Sequence, residues 1–143
     1  MATVTGRPAT AVMPASAFLP YRPEAASAAR RLVRDKLAEW RLEHLADDAQ
    51  LIVSELAANA AKTGCHRRMY VTIRRPAPLT VRIAVRDGSR TLPVLMQAGD
   101  CDAECGRGLG LVDRLTHGRW GVVPETLGKT TWADLAVAVN PAG

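Results

Sequence analysis

Aromatic side chains make up only 4% of the 143 residues, so the hydrophobic core has to be built from Leu, Val, Ile and Ala. No apolar run is long enough to span a membrane, which argues against a membrane protein. The chain has no lysine- or arginine-rich tail. Its net charge of +5 is spread out and therefore specifies neither a nucleic-acid partner nor an acidic one.

Cysteine is also rare. Cys65, Cys101 and Cys105 are an odd number, for which free thiols in a reducing cytoplasm are the simplest account. The alternative is a zinc site formed by these cysteines with His66, but the Cys-x-x-x-Cys and adjacent Cys-His spacings match structural zinc sites poorly. An apolar stretch near the N-terminus lacks the unbroken run of a secretory signal, because Pro14 interrupts it. We expect a cytoplasmic protein.

The length of the chain fits one domain with a sizeable core. Residues 1–17, rich in Ala, Thr, Pro and Gly, are expected to form a flexible tail, and residues 18–143 form the domain. Apolar residues at helical spacing predict a helix over residues 23–40, whose Pro and Glu suit a first turn. A second helix is predicted over residues 47–64, beginning with two acidic residues and stopping at a glycine.

The periodicity then changes from helix to strand. Strands are predicted over residues 69–74 and 79–86, and the short Pro-Ala-Pro turn between them makes the pair antiparallel. The second strand alternates strictly and carries Val81, Ile83 and Val85 on one face. One apolar face implies a sheet that helices cover on one side only.

The second half of the chain begins with an irregular stretch, residues 90–105, which is expected to act as a lid. The glycine cluster at residues 106–110 is predicted to lead into a helix over residues 111–117. Two more strands are predicted over residues 119–123 and 129–139. This order of elements predicts an α+β sandwich, with helices on one face of an antiparallel or mixed sheet.

Polar residues stand out where the surrounding pattern is apolar. Glu55 and Asn59 lie four residues apart on the second helix, so they project from one face, one turn apart. A carboxylate and an amide oxygen so placed can hold a hard cation, and the alternative is a solvated stripe on a packed helix. Asp87, beside Gly88 at a strand end, can accept a hydrogen bond from an exocyclic amine, and the alternative is a simple turn.

Three glycine motifs resemble known phosphate- or nucleotide-binding sequences. The Gly-Lys-Thr at 128–130 resembles the end of a P-loop, but Val123 stands where that loop needs a glycine. The glycines at 106 and 108 resemble a dinucleotide fingerprint, but Leu111 replaces its third glycine. There remains a glycine cluster before a helix, whose N–H groups and positive end suit a phosphate, with Arg107 as added charge. The alternative is a hinge.

Taken in order, these motifs resemble those of the Bergerat-fold ATPases, the superfamily of gyrase, the heat-shock chaperone ATPase and histidine kinases. Four segments carry the resemblance: residues 55–59 (ELAAN), 85–89 (VRDGS), 106–111 (GRGLGL) and 128–131 (GKTT). The small size, without a sensor or dimerisation segment, is similar to the anti-sigma-factor serine/threonine kinase branch. The resemblance covers approximately residues 18–139.

The resemblance implies a two-layer α/β sandwich of the Bergerat type, with helices on one face of a mostly antiparallel mixed sheet, that binds ATP and Mg²⁺. It implies that Asn59 coordinates Mg²⁺, that Glu55 is the general base or positions the attacking hydroxyl, and that Asp87 reads the adenine amino group. The remaining nucleotide contacts that it implies come from the second glycine box and the final strand: Gly106, Arg107, Gly108, Leu109, Gly110 and Thr130.

The resemblance further implies a role in transcription regulation, in which a Ser or Thr of a small antagonist protein is phosphorylated. A sigma factor is the other implied partner, for which the arginines of the first helix are candidate contacts, and relatives are often homodimers. No direct contact with nucleic acid or a membrane is expected. Two positions depart from the branch: Thr63 stands near a common histidine, and Glu104 near a common basic residue. The alternative function is therefore a non-catalytic, nucleotide-gated anti-sigma or protein-binding module.

Overall fold

A computed structural model describes residues 13–20, 23–62, 68–88, 103–126 and 128–138. Its helices are α1 (Pro23–Glu39), α2 (Ala46–Lys62) and α3 (Ala103–Thr116), and a single 3-10 turn at Glu43–Leu45 precedes α2. Its strands are β1 (Ala15–Pro20), β2 (Arg68–Ala77), β3 (Thr80–Asp87), β4 (Trp120–Glu125) and β5 (Gly128–Ala136).

The strands form one sheet in the order β1-β2-β3-β5-β4, and every neighbouring pair is antiparallel. The long pairing of β3 with β5 sets the register of the centre of the sheet. In that register Arg82 lies opposite Asp134, and Asp87 lies opposite Lys129. Successive residues of a strand point to opposite faces, so these two charged pairs lie on different sides of the sheet.

One face of the sheet is buried and the other is open. The inward residues of β3, Val81, Ile83 and Val85, are at most 1% exposed, whereas Arg86 on the other face is exposed. On the open face the guanidinium of Arg82 donates two hydrogen bonds to the carboxylate of Asp134, and these bonds raise the pKa of Arg82. The alternation predicted from the sequence is confirmed.

The three helices cover the buried face. α1 packs against α2, α2 packs on β3, and α3 packs against both α2 and β5. Aliphatic residues form nearly all of the core between the layers, including Val33, Leu37, Ile52 and Leu56, which are fully buried. In the described part of the chain, no helix has the length and apolar character needed to cross a bilayer.

Most predicted elements are confirmed, including the α+β sandwich, but two boundaries differ. The predicted tail of residues 1–17 overlaps β1, which begins at Ala15 and pairs with β2 from residue 15 to residue 20. Helix α3 begins at Ala103, so the glycine cluster at 106–110 lies inside the helix and not in a loop before it. The predicted lid falls largely on residues 89–102, which lie outside the described residues, as do Cys65, His66 and Cys101.

The burial of α2 gives a matched pair of leucine substitutions. Leu56 is fully buried and Leu51 is 47% exposed on the same helix. We expect Leu56→Ala to lower the free energy of unfolding by about 2–5 kcal/mol, because it removes packed atoms and leaves a cavity. Leu51→Ala is expected to change it by no more than about 0.5 kcal/mol. Urea unfolding followed by circular dichroism measures both, and equal losses would contradict the packing described here.

Candidate functional site

The connections bring the ends of four elements to one edge of the sheet, which we call the site edge. Only residues 63–67 separate α2 from β2, so α2 ends where β2 begins. That end of β2 lies beside the end of β3, because Tyr70 pairs with Arg86. β5 begins at the same edge, opposite Asp87.

The N-terminal end of helix α3 points toward the site edge. The helix is joined to β4 by residues 117–119 alone, and β4 begins at the far edge, where Trp120 pairs with Ala133. The indole N–H of Trp120 donates to Asp113 at 2.9 Å, which ties the end of α3 to that strand. A left-handed turn at His117 and Gly118 ends the helix. The amide N–H groups and positive dipole end of α3 therefore face the side on which β3 ends.

Asp87 occupies the last inward position of β3 and forms a buried ion pair with Lys129 of β5. The Nζ atom of Lys129 donates to Oδ1 at 3.1 Å and to Oδ2 at 3.0 Å, and both side chains are 1% exposed. Removing one member of such a pair leaves a buried charge uncompensated, at a cost of about 3–5 kcal/mol. The pair thus holds a carboxylate inside the protein at the site edge.

Gly128 allows β5 to approach Asp87 this closely. Its φ angle is +151°, and a Cβ atom built there would lie 2.0 Å from the backbone oxygen of Asp87. A distance below 3.0 Å cannot be relieved by a side-chain movement when the neighbour is backbone. The glycine is thus required by the geometry that places Lys129 against the carboxylate.

Helix α2 brings Glu55 and Asn59 to the same end of the molecule. Asn59 lies in the last turn of the helix and is buried, at 9% exposure, whereas Glu55, one turn earlier, is half-buried. Their spacing places both on the face predicted from the sequence. Because Asn59 is buried, it does not belong to a solvated stripe, which was the alternative for these two residues.

The predicted conformation of the glycine cluster at residues 106–110 is wrong. The cluster was predicted as a tight loop before a helix, but residues 106–110 are helical, and Leu109 is buried at 3% exposure. Leu109 and Val112 lie three residues apart and give this segment an apolar side that packs inward, which favours helix despite the glycines. The backbone of Gly106, Arg107 and Gly108 belongs to the helix, and their side chains lie outside what the structure describes.

Thr130 and Asp87 are not brought together. Thr130 points to the open face, where its hydroxyl donates to Glu125 at 2.8 Å. It lines a groove of about 340 Å³ with Trp132 and Arg82, on the far side of the sheet from Asp87. Lys129 of the same strand contacts the Asp87 carboxylate instead. The sequence motif 128–131 predicts a contact by Thr130 and not by Lys129, although strand parity places Lys129 on the inward face.

The site edge thus combines groups that suit a nucleotide. A buried carboxylate accepts hydrogen bonds from an amine, a helix N-terminus favours a phosphate, and an amide oxygen with a nearby carboxylate suits a hard cation. The described residues contain no cluster of His, Cys, Asp and Glu that would hold a metal by itself.

The comparison with protein families agrees with this arrangement. The model of the histidine kinase-like ATPase domain matches residues 19–119, which is well over half of the chain. The chain belongs to the histidine kinase-like ATPase family. The matched part includes α2, β3 and α3 and ends just before β4. No curated protein sequence matches the chain significantly.

Membership of the histidine kinase-like ATPase family implies ATP binding, and the residues at the site edge fit that ligand. The fit rests on the buried Asp87 carboxylate, on the buried Asn59 amide and on the direction of α3. All of β5, including Gly128 and Lys129, lies beyond the matched residues. The part of the site that holds Asp87 in place is therefore a feature of this chain that the family match does not describe.

Alanine substitutions at Gly128 and Gly110 are expected to change the free energy of unfolding in opposite directions. Gly128→Ala is expected to lower the free energy of unfolding by about 1–3 kcal/mol or more, because its Cβ would collide with the backbone of Asp87. Gly110→Ala is the control: its nearest neighbour is Arg114, at 3.9 Å, in a helix. There alanine is expected to raise stability by about 0.5–1 kcal/mol. Denaturant unfolding tests both, and a Gly128→Ala protein as stable as wild type would contradict the close approach.

Proposed function

We propose that this protein is an ATP-binding regulator of the anti-sigma type, which transfers a phosphoryl group from Mg-ATP to a Ser or Thr of a small antagonist protein. The observation that carries the proposal is the convergence at the site edge. A buried carboxylate, a buried amide and a helix N-terminus meet there in a chain of the histidine kinase-like ATPase family.

The adenine and the phosphates are assigned to different elements. Asp87 accepts a hydrogen bond from the exocyclic amino group, since an ionised carboxylate acts only as an acceptor. The first turn of α3, whose N–H groups have no partner within the helix, faces the phosphates together with the positive dipole end, and Arg107 follows in the next turn. This division supports ATP, whose base and phosphates have opposite hydrogen-bonding needs.

The reacting end of the nucleotide is assigned to α2. Asn59 supplies an amide oxygen, which is a suitable ligand for Mg²⁺, and the ion would neutralise charge on the phosphates. Glu55 is half-buried one turn away and accepts the proton of the attacking hydroxyl, or holds that hydroxyl in place. Phosphoryl transfer depends mostly on positioning and charge neutralisation, which a short helical segment can supply.

A protein partner is assigned to the outer side of α1. Arg31 and Arg34 are exposed there, and Arg34 bonds only its neighbour Asp35 among the described residues. Arg30 differs, because it donates to the hydroxyl of Ser54 on α2 at 3.0 Å. Arg31 and Arg34 are therefore the better candidates for contact with a sigma factor or an antagonist.

Nucleotide binding is tested by titration calorimetry with ATP, with and without Mg²⁺. We expect Asp87→Ala to weaken binding about 10- to 100-fold in both conditions, since a hydrogen bond to a charged group is lost. Asn59→Ala is expected to remove the enhancement by Mg²⁺ and to change binding of metal-free ATP by less than about threefold.

Two matched variants serve as controls for this titration. Asp134→Ala removes a carboxylate from the open face, and Gln50→Ala removes an amide from an earlier part of α2. Both are expected to bind ATP like wild type. If wild type binds no nucleotide at millimolar concentration, the proposed function is wrong.

Phosphoryl transfer is tested separately from binding. Glu55→Gln keeps the shape of the side chain but loses the base, so ATP affinity should stay within about threefold while transfer falls at least about 100-fold. The measurement is transfer of labelled γ-phosphate to the antagonist protein that wild type phosphorylates. An unchanged rate in Glu55→Gln would remove Glu55 from the mechanism. Binding of ATP by wild type with no transfer to any antagonist would favour the nucleotide-gated binding module.

A further inference from the structure

The ammonium group of Lys129 contacts both oxygens of Asp87 almost equally, at 3.0 and 3.1 Å. The two residues lie directly opposite each other on β5 and β3, and both side chains are 1% exposed. A carboxylate on its own turns freely about its last side-chain torsion, which is broad and roughly two-fold. Two contacts from one donor fix that torsion and therefore fix the directions in which both oxygens accept hydrogen bonds.

The same contact compensates the charge of the carboxylate where water is scarce. An ionised carboxylate is costly to bury unless it is paired and hydrogen-bonded. It has about four lone-pair sites, so it can accept from a lysine and from an amino group at the same time. A lysine in this position thus allows a buried, oriented acceptor to exist before any ligand arrives, and preorganised groups bind more tightly than mobile ones.

We propose that Lys129 is a specificity-determining positioning residue, which orients Asp87 so that the site distinguishes a 6-aminopurine from a purine without that amino group. The inference rests on the proposed ATP binding and assigns Lys129 a role that acts through Asp87. Gly128 is part of the same arrangement, because only glycine lets β5 approach the backbone of Asp87 closely enough for Lys129 to reach the carboxylate. Lys129 itself needs no contact with the nucleotide.

The open face of the sheet supplies a matched comparison. Arg82 and Asp134 are also opposite partners on β3 and β5, and they too form a bidentate ion pair, at 2.7 and 2.9 Å. That pair lies on the side of the sheet that no described helix covers, and Arg82 also stacks over Trp132. Breaking it therefore disturbs the same two strands without touching Asp87.

The experiment compares two nucleotides that differ by one group. Titration calorimetry with Mg²⁺ measures Kd for ATP and for purine riboside 5′-triphosphate, which lacks the amino group. Wild type is expected to prefer ATP by about 10- to 100-fold, the range for one hydrogen bond to a charged group. In Lys129→Met the preference is expected to fall to within about threefold of unity, and Asp134→Asn is expected to keep the wild-type value.

The ratio of the two Kd values separates positioning from folding. Partial unfolding weakens both nucleotides by the same factor and leaves their ratio unchanged. If Lys129→Met does not fold, Lys129→Gln, which keeps an uncharged polar group, is measured by the same criterion. Failure of both variants to fold even with ATP present would assign Lys129 to the fold alone and overturn the inference.

The remaining outcomes distinguish this inference from the proposed function. A wild-type preference for ATP that persists in Lys129→Met or Lys129→Gln overturns the role of Lys129 and leaves ATP binding intact. Equal binding of both nucleotides by wild type shows that the amino group is not read, and this also overturns the inference. Binding of neither nucleotide by wild type is instead the failure of the proposed function.

Discussion

The site depends on Asp87, the last of the inward-facing residues of β3. Val81, Ile83 and Val85 fill the earlier inward positions with aliphatic side chains, and Asp87 follows them with a carboxylate on the same buried face. A buried carboxylate requires compensation, and the strand opposite supplies it as Lys129. The contact in turn requires β5 to pass close to the backbone of Asp87, which only a glycine at position 128 permits. Two neighbouring residues of β5, Gly128 and Lys129, thus follow from a single polar residue of β3.

Stability alone gives a poor reason for such an arrangement. Replacing a buried ion pair by apolar residues of similar volume is often neutral or stabilising, because the desolvation cost of two charges offsets their attraction. The neighbouring inward positions already show that aliphatic residues pack well here, since Ile83 and Ala133 are fully buried in the adjacent register. The ion pair lies at the edge where α2 ends and toward which the N-terminus of α3 points, and we infer that ligand recognition is the reason for it. We therefore regard the buried charge as part of the nucleotide site that we propose.

Most of the fold could be predicted from the sequence, because periodicity reports which face of an element is buried. The alternation in β3 and the helical spacing in α1 and α2 are strong signals, and they place Asp87 and Asn59 on elements of the right type. The overlap of β1 with the predicted tail was missed, since its pairing with β2 is a long-range contact that the local sequence around Ala15 does not indicate. The glycines of α3 were misplaced because glycine is a weak helix former, and tertiary packing through Leu109 and Val112 overrides that preference. Lys129 could have been found by strand parity, but its partner depends on the register of β5 against β3, which no local pattern gives.

The division of the site among elements also explains how binding and transfer can separate. In our proposal Asp87 on the sheet binds the amino group of the base, the phosphates lie at the N-terminus of α3, and the metal and the proton acceptor belong to α2. The base-reading part is held by an ion pair and a glycine inside the sheet, and it makes no use of Glu55 or of the sequence departures at Thr63 and Glu104. A change at those positions would alter transfer while leaving an oriented carboxylate for the amino group. Such a protein would still respond to ATP, because ordering by a ligand needs only differential binding and not chemistry.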